Sequence, residues 1–363
     1  MGEKPLASLA ILLALSRELG PVIQQLSDTQ RRILVSVNPR AGFRFRRDLL
    51  DQLRDELHRL DFPTEDFTDI DALQRRAEEL QSAGELRAIV AAGGDGTIGL
   101  LANRTPIGAP LAVLPLGTEN LLAKHLHLTA TPLSLAKIIE EGCVVQLDMG
   151  DAGGRLFTLM AGCGFDADVV RRLHSDRRGN IHHFSYIKPI LDAIRNYEYP
   201  ELRVRYAPVE TTAVDVTPGN ESDELTEELT ARWVFIINVP RYAGGLNLAP
   251  GASGDDGLLD VCTFREGSLW NGLVYLGGVL LGQHESMQDY CHIRTRRLVI
   301  ESQPEAPFQL DGDPGGVLPV EIRVVPRRLT MLVSREWAQQ REEEALKSTA
   351  DVSSPSATAN DSR

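Results

Sequence analysis

Leu49, Leu53, Leu57 and Leu60 recur at helical spacing in "RRDLLDQLRDELHRL", which predicts an amphipathic helix. Ile70, Leu73, Ala77 and Leu80 mark the inner face of a second. Between and after them lie short apolar runs of strand character: Ile33 to Val37, "LRAIVAA", and "PLAVLPLGT" from Pro110 to Thr118. Further helices are expected at about 119–127 and 132–141. Strands alternating with helices at this pitch predict a parallel, Rossmann-like α/β sheet, where ligands bind outside the carboxyl ends of the strands.

From about Val144 the pattern changes. "RWVFIINV", "LLDVCTF", "HIRTRRLVIES", "APFQLDGD" and "PVEIRVV" are strand-like runs separated by turn residues. They predict a mainly antiparallel β domain with helical insertions near 182–196 and 267–281. The expected division is an N-terminal helical extension over 1–30, an α/β domain over 31–143, a β-rich domain over 144–335 and a disordered tail over 340–363. Residues 209–230 are acidic and polar, as in an exposed hairpin extension or loop.

Composition narrows the classes. The chain has 363 residues, 42% of them hydrophobic, and a formal net charge of −13. That supports two globular domains and argues against a general nucleic-acid binder. Its four cysteines are widely spaced and form no CxxC pair, so a structural zinc site is not expected. The apolar run from Pro5 to Leu15 is too short to span a bilayer, and is expected as a helix that packs on the body or touches a membrane surface.

The candidate chemistry sits at three strand ends. In "AAGGDGT", Gly93, Gly94 and Gly96 let the backbone approach a ligand closely, and the following helix brings its positive end near Thr97. That favours phosphate. Asp95 within such a cradle calls for a cation between it and the ligand, and Mg²⁺ takes carboxylate and phosphate oxygens together. "VNPRAG" adds Asn38, Pro39, Arg40, Ala41 and Gly42, and "LPLGTEN" adds Gly117, Thr118 and Asn120 at a helix start. One such turn is explained by packing geometry alone; three converging on one edge are not. A basic and apolar stretch from Arg171 to Arg195 suits either an anionic membrane surface or a solvated helix face.

In order, "VNPRAG", Thr68, "GGDGT", "PLGTEN", "GCGFDADV", "YAGGLNLAPGASGDDGLLDV" and "LDGD" resemble the diacylglycerol kinase catalytic family, which includes sphingosine and ceramide kinases. The resemblance implies a β-sandwich C-terminal domain, ATP in the cleft between the domains, and γ-phosphoryl transfer to a lipid hydroxyl. It implies nucleotide contacts from residues 38–42, Thr68, the glycine loop and Thr118. It further implies a headgroup contact in the "GFDADV" loop with its Asp166 and Asp168, and a structural Mg²⁺ at Ser253, Asp256 and Leu258. Asp313 matches a family glutamate proposed as general base, one methylene longer, so Asp313 and Asp95 both stand as base candidates. Gly99 and Leu100 replace an Asn-Glu pair common in the family. The expected partner is a lipid at a membrane surface, reached by a cytoplasmic, peripheral enzyme; the family includes dimers, so a homodimer is admitted. Two alternatives remain: a catalytically silent relative that binds lipid or nucleotide, and an NAD kinase, which shares "GGDGT".

Overall fold

The computed structural model describes residues 22–37, 44–175, 197–209, 224–241 and 246–352. Asn38 to Gly42, the apolar run at Pro5–Leu15, the insertion near 182–196 and most of the acidic 209–230 segment lie outside the described residues.

Four parallel strands form the first half of the chain. β2 (Arg32–Ser36) lies between β3 (Thr64–Phe67) and β4 (Leu86–Gly93), and β4 pairs in turn with β5 (Pro110–Pro115). β4 and β5 are buried almost throughout, as expected of central parallel strands covered on both faces. α1 (Arg44–Arg59) buries Leu50, Leu53 and Leu57, and α2 (Ile70–Ser82) buries Leu73, Ala77 and Leu80, so the apolar spacing is realised as packing. Asp69 starts α2 by accepting the backbone N–H groups of Asp71 and Ala72. α3 (Asp95–Arg104) follows β4, and α4 (Leu121–His125) and α5 (Pro132–Glu141) follow β5.

The second half is a β-sandwich. One layer is the antiparallel sheet β13-β12-β11-β8-β15-β16, built from β8 (Met160–Gly164), β11 (Trp233–Ile237), β12 (Leu259–Phe264), β13 (Tyr290–Thr295), β15 (Pro307–Leu310) and β16 (Asp313–Val317). The other contains β9 (Leu202–Tyr206), β10 (Glu227–Ala231), β14 (Arg297–Ser302) and β17 (Val320–Leu332). Val204, Ile300 and Ile322 from this layer meet Val234, Ile236 and Val261 from the first in a shared apolar core.

The two halves are joined through one strand. β17 pairs antiparallel with β14 over Val320–Arg323, then parallel with β5 at Thr330 and Met331. Its other edge takes β6 (Cys143–Ala152), so the sheet runs unbroken across the division expected at 143. Asp148 accepts the N–H of Arg327 at 2.7 Å where the β17–β6 register shifts, and that of Gly257 at 2.6 Å.

Both ends of the described chain differ from expectation. Val22–Gln25 is a strand, β1, paired with β6, where a helical extension was expected. Beyond β17, Arg335–Val352 forms a helix, α8, so residues 340–352 continue a helix where disorder was expected. Trp337 and Ala338, buried on the body, hold its first turn, which outweighs the charged composition that follows. Among the described residues no helix is long and apolar enough to cross a membrane.

Candidate active site

The carboxyl ends of β3, β2, β4 and β5 lie on one sheet edge. Val37 donates its N–H to Phe67 at 2.8 Å, and Leu116 donates to Gly93 at 3.0 Å. This aligns exposed Thr68, Val37 after β2, the glycine turn after β4 and the "PLGTEN" turn after β5.

The last two turns are in backbone contact. A Cβ built on Gly117 would stand 2.5 Å from the Cα of Gly94, and one on Gly94 would stand 2.9 Å from the Cα of Gly117. Neither position admits a side chain. A Cβ on Gly93 would fall 2.1 Å from the Oγ1 of Thr97. Gly96 differs: a Cβ there would meet nothing within 4 Å. Packing therefore does not require glycine at 96, and the space beside it lies at the N-terminal turn of α3; there the Thr97 and Ile98 N–H groups donate to the Gly94 carbonyl at 2.9 and 3.3 Å, so the phosphate-facing candidates are those of Asp95 and Gly96. The cradle fits a phosphate group.

Asn120 shapes the second turn. Its Oδ1 accepts the Gly117 N–H and its Nδ2 donates to the Gly117 carbonyl, both at 2.9 Å. Its backbone lies in the left-handed region at φ 50°, which asparagine tolerates. Asp95 then clamps the turns together. One carboxylate oxygen accepts the N–H of Leu121 at 3.0 Å and the other that of Leu122 at 3.1 Å, at the start of α4. The acid expected to face a metal is first of all a link between two turns.

The "LDGD" hairpin lies beside α3. Its Asp311 is held under the loop before β8: the Thr158, Leu159 and Met160 N–H groups and the Thr158 hydroxyl all donate to it, at 2.7–3.0 Å. Burial holds this carboxyl above the ordinary carboxylate range, and the four donors offset only part of that rise. A Cβ on Gly99 would stand 4.0 Å from its Oδ2, so the glycine in place of the family asparagine faces this acid. Two residues on, Asp313 is half-exposed, its side chain 46% accessible. His174 Nε2 approaches it at 3.2 Å and an Arg155 guanidinium nitrogen at 3.7 Å. Neither neighbour carries a sequence signal for this role, because each meets Asp313 only through the fold.

The "GFDADV" acids are occupied inside the protein. Asp166, at the start of α6 (Phe165–Ser175), accepts from buried Gln309 at 2.9 Å. Asp168 is 1% exposed and pairs with Arg171 and Arg172 of its own helix, so it does not face an open headgroup site as expected. The expected Mg²⁺ set is also differently engaged. Asp256 pairs with Arg294 and accepts the Leu258 N–H at 3.0 Å. Ser253 bonds to Asp255, and Arg341 of α8 reaches both, at 3.0 Å and 2.9 Å. Guanidinium groups already supply positive charge to the turn, and among the described residues no three acidic, histidine or cysteine side chains gather to hold a metal ion. The residues do not fit the structural metal.

A Rossmann-like α/β half joined to an antiparallel β-sandwich is the architecture the comparisons with known proteins match, and they make it a lipid kinase. The diacylglycerol kinase catalytic domain profile matches residues 32–152, and the YegS C-terminal NAD kinase beta sandwich-like domain profile matches 160–333. Over residues 32–152 the chain carries the catalytic domain of the diacylglycerol kinase family. It is 24% identical to diacylglycerol kinase of Bacillus subtilis (strain 168) over 70% of this chain and 80% of that one. It is 28% identical to diacylglycerol kinase of Mycobacterium tuberculosis (H37Rv), over 68% and 77%. Human diacylglycerol kinase zeta matches at 26% identity over 85% of this chain but only 36% of its own length. A crystal structure of a diacylglycerol kinase from Bacillus anthracis str. Sterne superposes with a TM-score of 0.59 at 19% identity, covering 85% of this chain and 99% of that one, a likeness of fold.

Proposed function

We propose that this enzyme transfers the γ-phosphoryl group of Mg·ATP to the hydroxyl of a lipid, diacylglycerol or a long-chain base. The observation that carries the reading is the meeting of Gly94 and Gly117 around the open space at Gly96, with the Asp311–Asp313 hairpin beside the same helix.

In this reading Mg²⁺ arrives as part of the nucleotide substrate and neutralises phosphate charge. The first turn of α3 binds phosphate oxygens through backbone N–H groups, with Thr97, Thr118 and Thr68 lining the edge. Asp95 keeps the two turns in register and so orients the donor. Asp313 is the general base: half-exposed, it can meet an incoming hydroxyl, and it takes the proton as the acceptor oxygen bonds to the γ-phosphorus. The bond from that phosphorus to the β–γ bridging oxygen breaks, and ADP leaves with its electron pair. His174 and Arg155 are positioning residues that hold the Asp313 carboxylate. Asp311, engaged by four donors, fixes the hairpin and takes no part in proton transfer.

The test is purified protein with labelled ATP and Mg²⁺ against diacylglycerol, sphingosine, ceramide and undecaprenol. A labelled lipid product supports the reading and names the acceptor. Nucleotide binding with no lipid product and no turnover favours a catalytically silent relative and overturns it.

A further inference from the structure

The helix Leu269–Leu280, α7, is built the wrong way round for a helix that only packs on a core. Its inward side sets two glycines beside its buried anchors: a Cβ on Gly272 would stand 2.9 Å from the Trp233 ring, and one on Gly278 would stand 2.1 Å from the Met287 methyl. Glycine lets the helix lie close on the body, with Tyr275 and Val279 as its buried anchors. The bulky residues point outward. Trp270 and Leu281 are each 72% exposed, Leu280 66%, Leu273 49% and Val274 48%. Positions 270, 273, 274, 277, 280 and 281 share one helical face. From Leu269 to Gln283 the sequence carries no charged residue. A contiguous exposed apolar stripe of this kind marks an interaction surface.

The stripe is joined to the proposed acceptor side of the site. Trp233, beneath Gly272, packs on Phe165 with ring centroids 4.9 Å apart. Phe165 opens α6, which carries Asp166 and brings His174 to Asp313. We infer that the α7 face seats the enzyme on a lipid bilayer, with Trp270 and Leu281 entering the boundary between headgroups and acyl chains. This rests on the proposed lipid acceptor, which resides in such a surface. Apolar insertion, not charge, drives the contact: the stripe is uncharged and the chain has a net charge of −13, which an anionic membrane would repel. Tryptophan at one end of the stripe suits the interface, where its amphipathic ring sits at headgroup level.

The experiment is flotation of the full-length protein with phosphatidylcholine vesicles, without nucleotide, at low and high salt. The wild type should float at both, and Trp270→Glu/Leu281→Glu should lose binding by about 100-fold while Trp270→Phe retains most of it. Thermal melting checks that the double variant is folded, and its turnover of a water-soluble short-chain diacylglycerol should equal wild type. A wild type that does not float, or a double variant that floats equally well, overturns the docking face. So does a double variant that converts a dimer to a monomer without changing flotation, since the face would then join two copies. Because flotation needs no catalysis, vesicle binding without any lipid phosphorylation would instead overturn the proposed activity and leave the docking face standing.

Discussion

Gly94 and Gly117 touch backbone to backbone: a methyl on Gly117 would stand 2.5 Å from the Gly94 Cα. The two turns come from different strands, so this contact fixes how the strand ends meet. Gly117→Ala should push them apart, and Gly94→Ala should do the same less severely. A displacement of about 1 Å at a positioning element can lower turnover about 100-fold. The check is kcat with labelled ATP for both variants, alongside nucleotide affinity. The expected order is Gly117→Ala worse than Gly94→Ala, with Gly96→Ala altering nucleotide binding while leaving thermal stability nearly unchanged, since a Cβ there meets no protein atom.

The two base candidates separate under the same kind of substitution. Asp313→Asn should lower kcat about 100-fold or more while the protein melts as wild type, because this half-exposed side chain supports little of the fold. Asp95→Asn replaces one acceptor oxygen by a donor facing the N–H of Leu121 or Leu122. It should therefore destabilise by about 1–3 kcal/mol and impair activity. Paired kcat and urea-unfolding measurements distinguish them; an Asp95→Asn protein of unchanged stability would contradict the clamp.

Arg341 makes the C-terminal helix part of the body. Its guanidinium reaches Asp255 at 2.9 Å, and that carboxylate is only 4% exposed. Arg341→Ala leaves Asp255 buried without this partner and should destabilise the chain by about 3 kcal/mol. Arg341→Lys should recover part of the loss. Melting with and without Mg²⁺ adds a second reading: wild type should be insensitive to EDTA, whereas Arg341→Ala should gain thermal stability on adding Mg²⁺, as an ion takes over charge that the guanidinium supplied.

What could be read from the chain was local. Leu53 and Leu57, or Leu73, Ala77 and Leu80, reveal a buried helix face because the spacing is short and the core takes what is apolar. Glycine turns at strand ends are likewise visible one at a time, and the edge of a parallel sheet brings them together. Contacts between distant residues leave no such trace. Nothing near Asp95 says that its oxygens will meet Leu121 and Leu122, and nothing near Asp313 names His174 or Arg155. β17 looks like an ordinary amphipathic strand, yet within one continuous sheet its first end pairs with β14 of the sandwich and its last with β5 of the α/β half. The segment after Gln340 misled through composition: its charges resemble a solvated tail, while Trp337 and Arg341 anchor it by contacts with residues far back in the sequence.

His125, at the end of α4, links the stability of the fold to pH. Burial pushes its imidazole down from its ordinary value of 6.5 to about 4, and nearby Arg341 acts in the same direction. Its Nε2 is buried with no hydrogen-bond partner among the described residues, so a proton there would be poorly compensated. In the unfolded chain the ring protonates near 6.5; in the folded chain it resists until about 4. A lowered folded-state pKa means that the unfolded state binds the extra proton first. The contribution of His125 is therefore intact above pH 6.5 and is lost progressively as pH falls toward 4. The ceiling of that loss is about 3 kcal/mol, from roughly 2.5 units at 1.36 kcal/mol each. His125→Gln removes the titration and keeps a polar side chain of similar reach. Urea unfolding at pH ~7.5 and ~4.5 should show a smaller acid-side loss in the variant than in wild type. Equal losses in the two proteins would mean that the ring is open to water, and that the contacts of α4 with α8 are looser than the Trp337–His125 hydrogen bond at 3.4 Å implies.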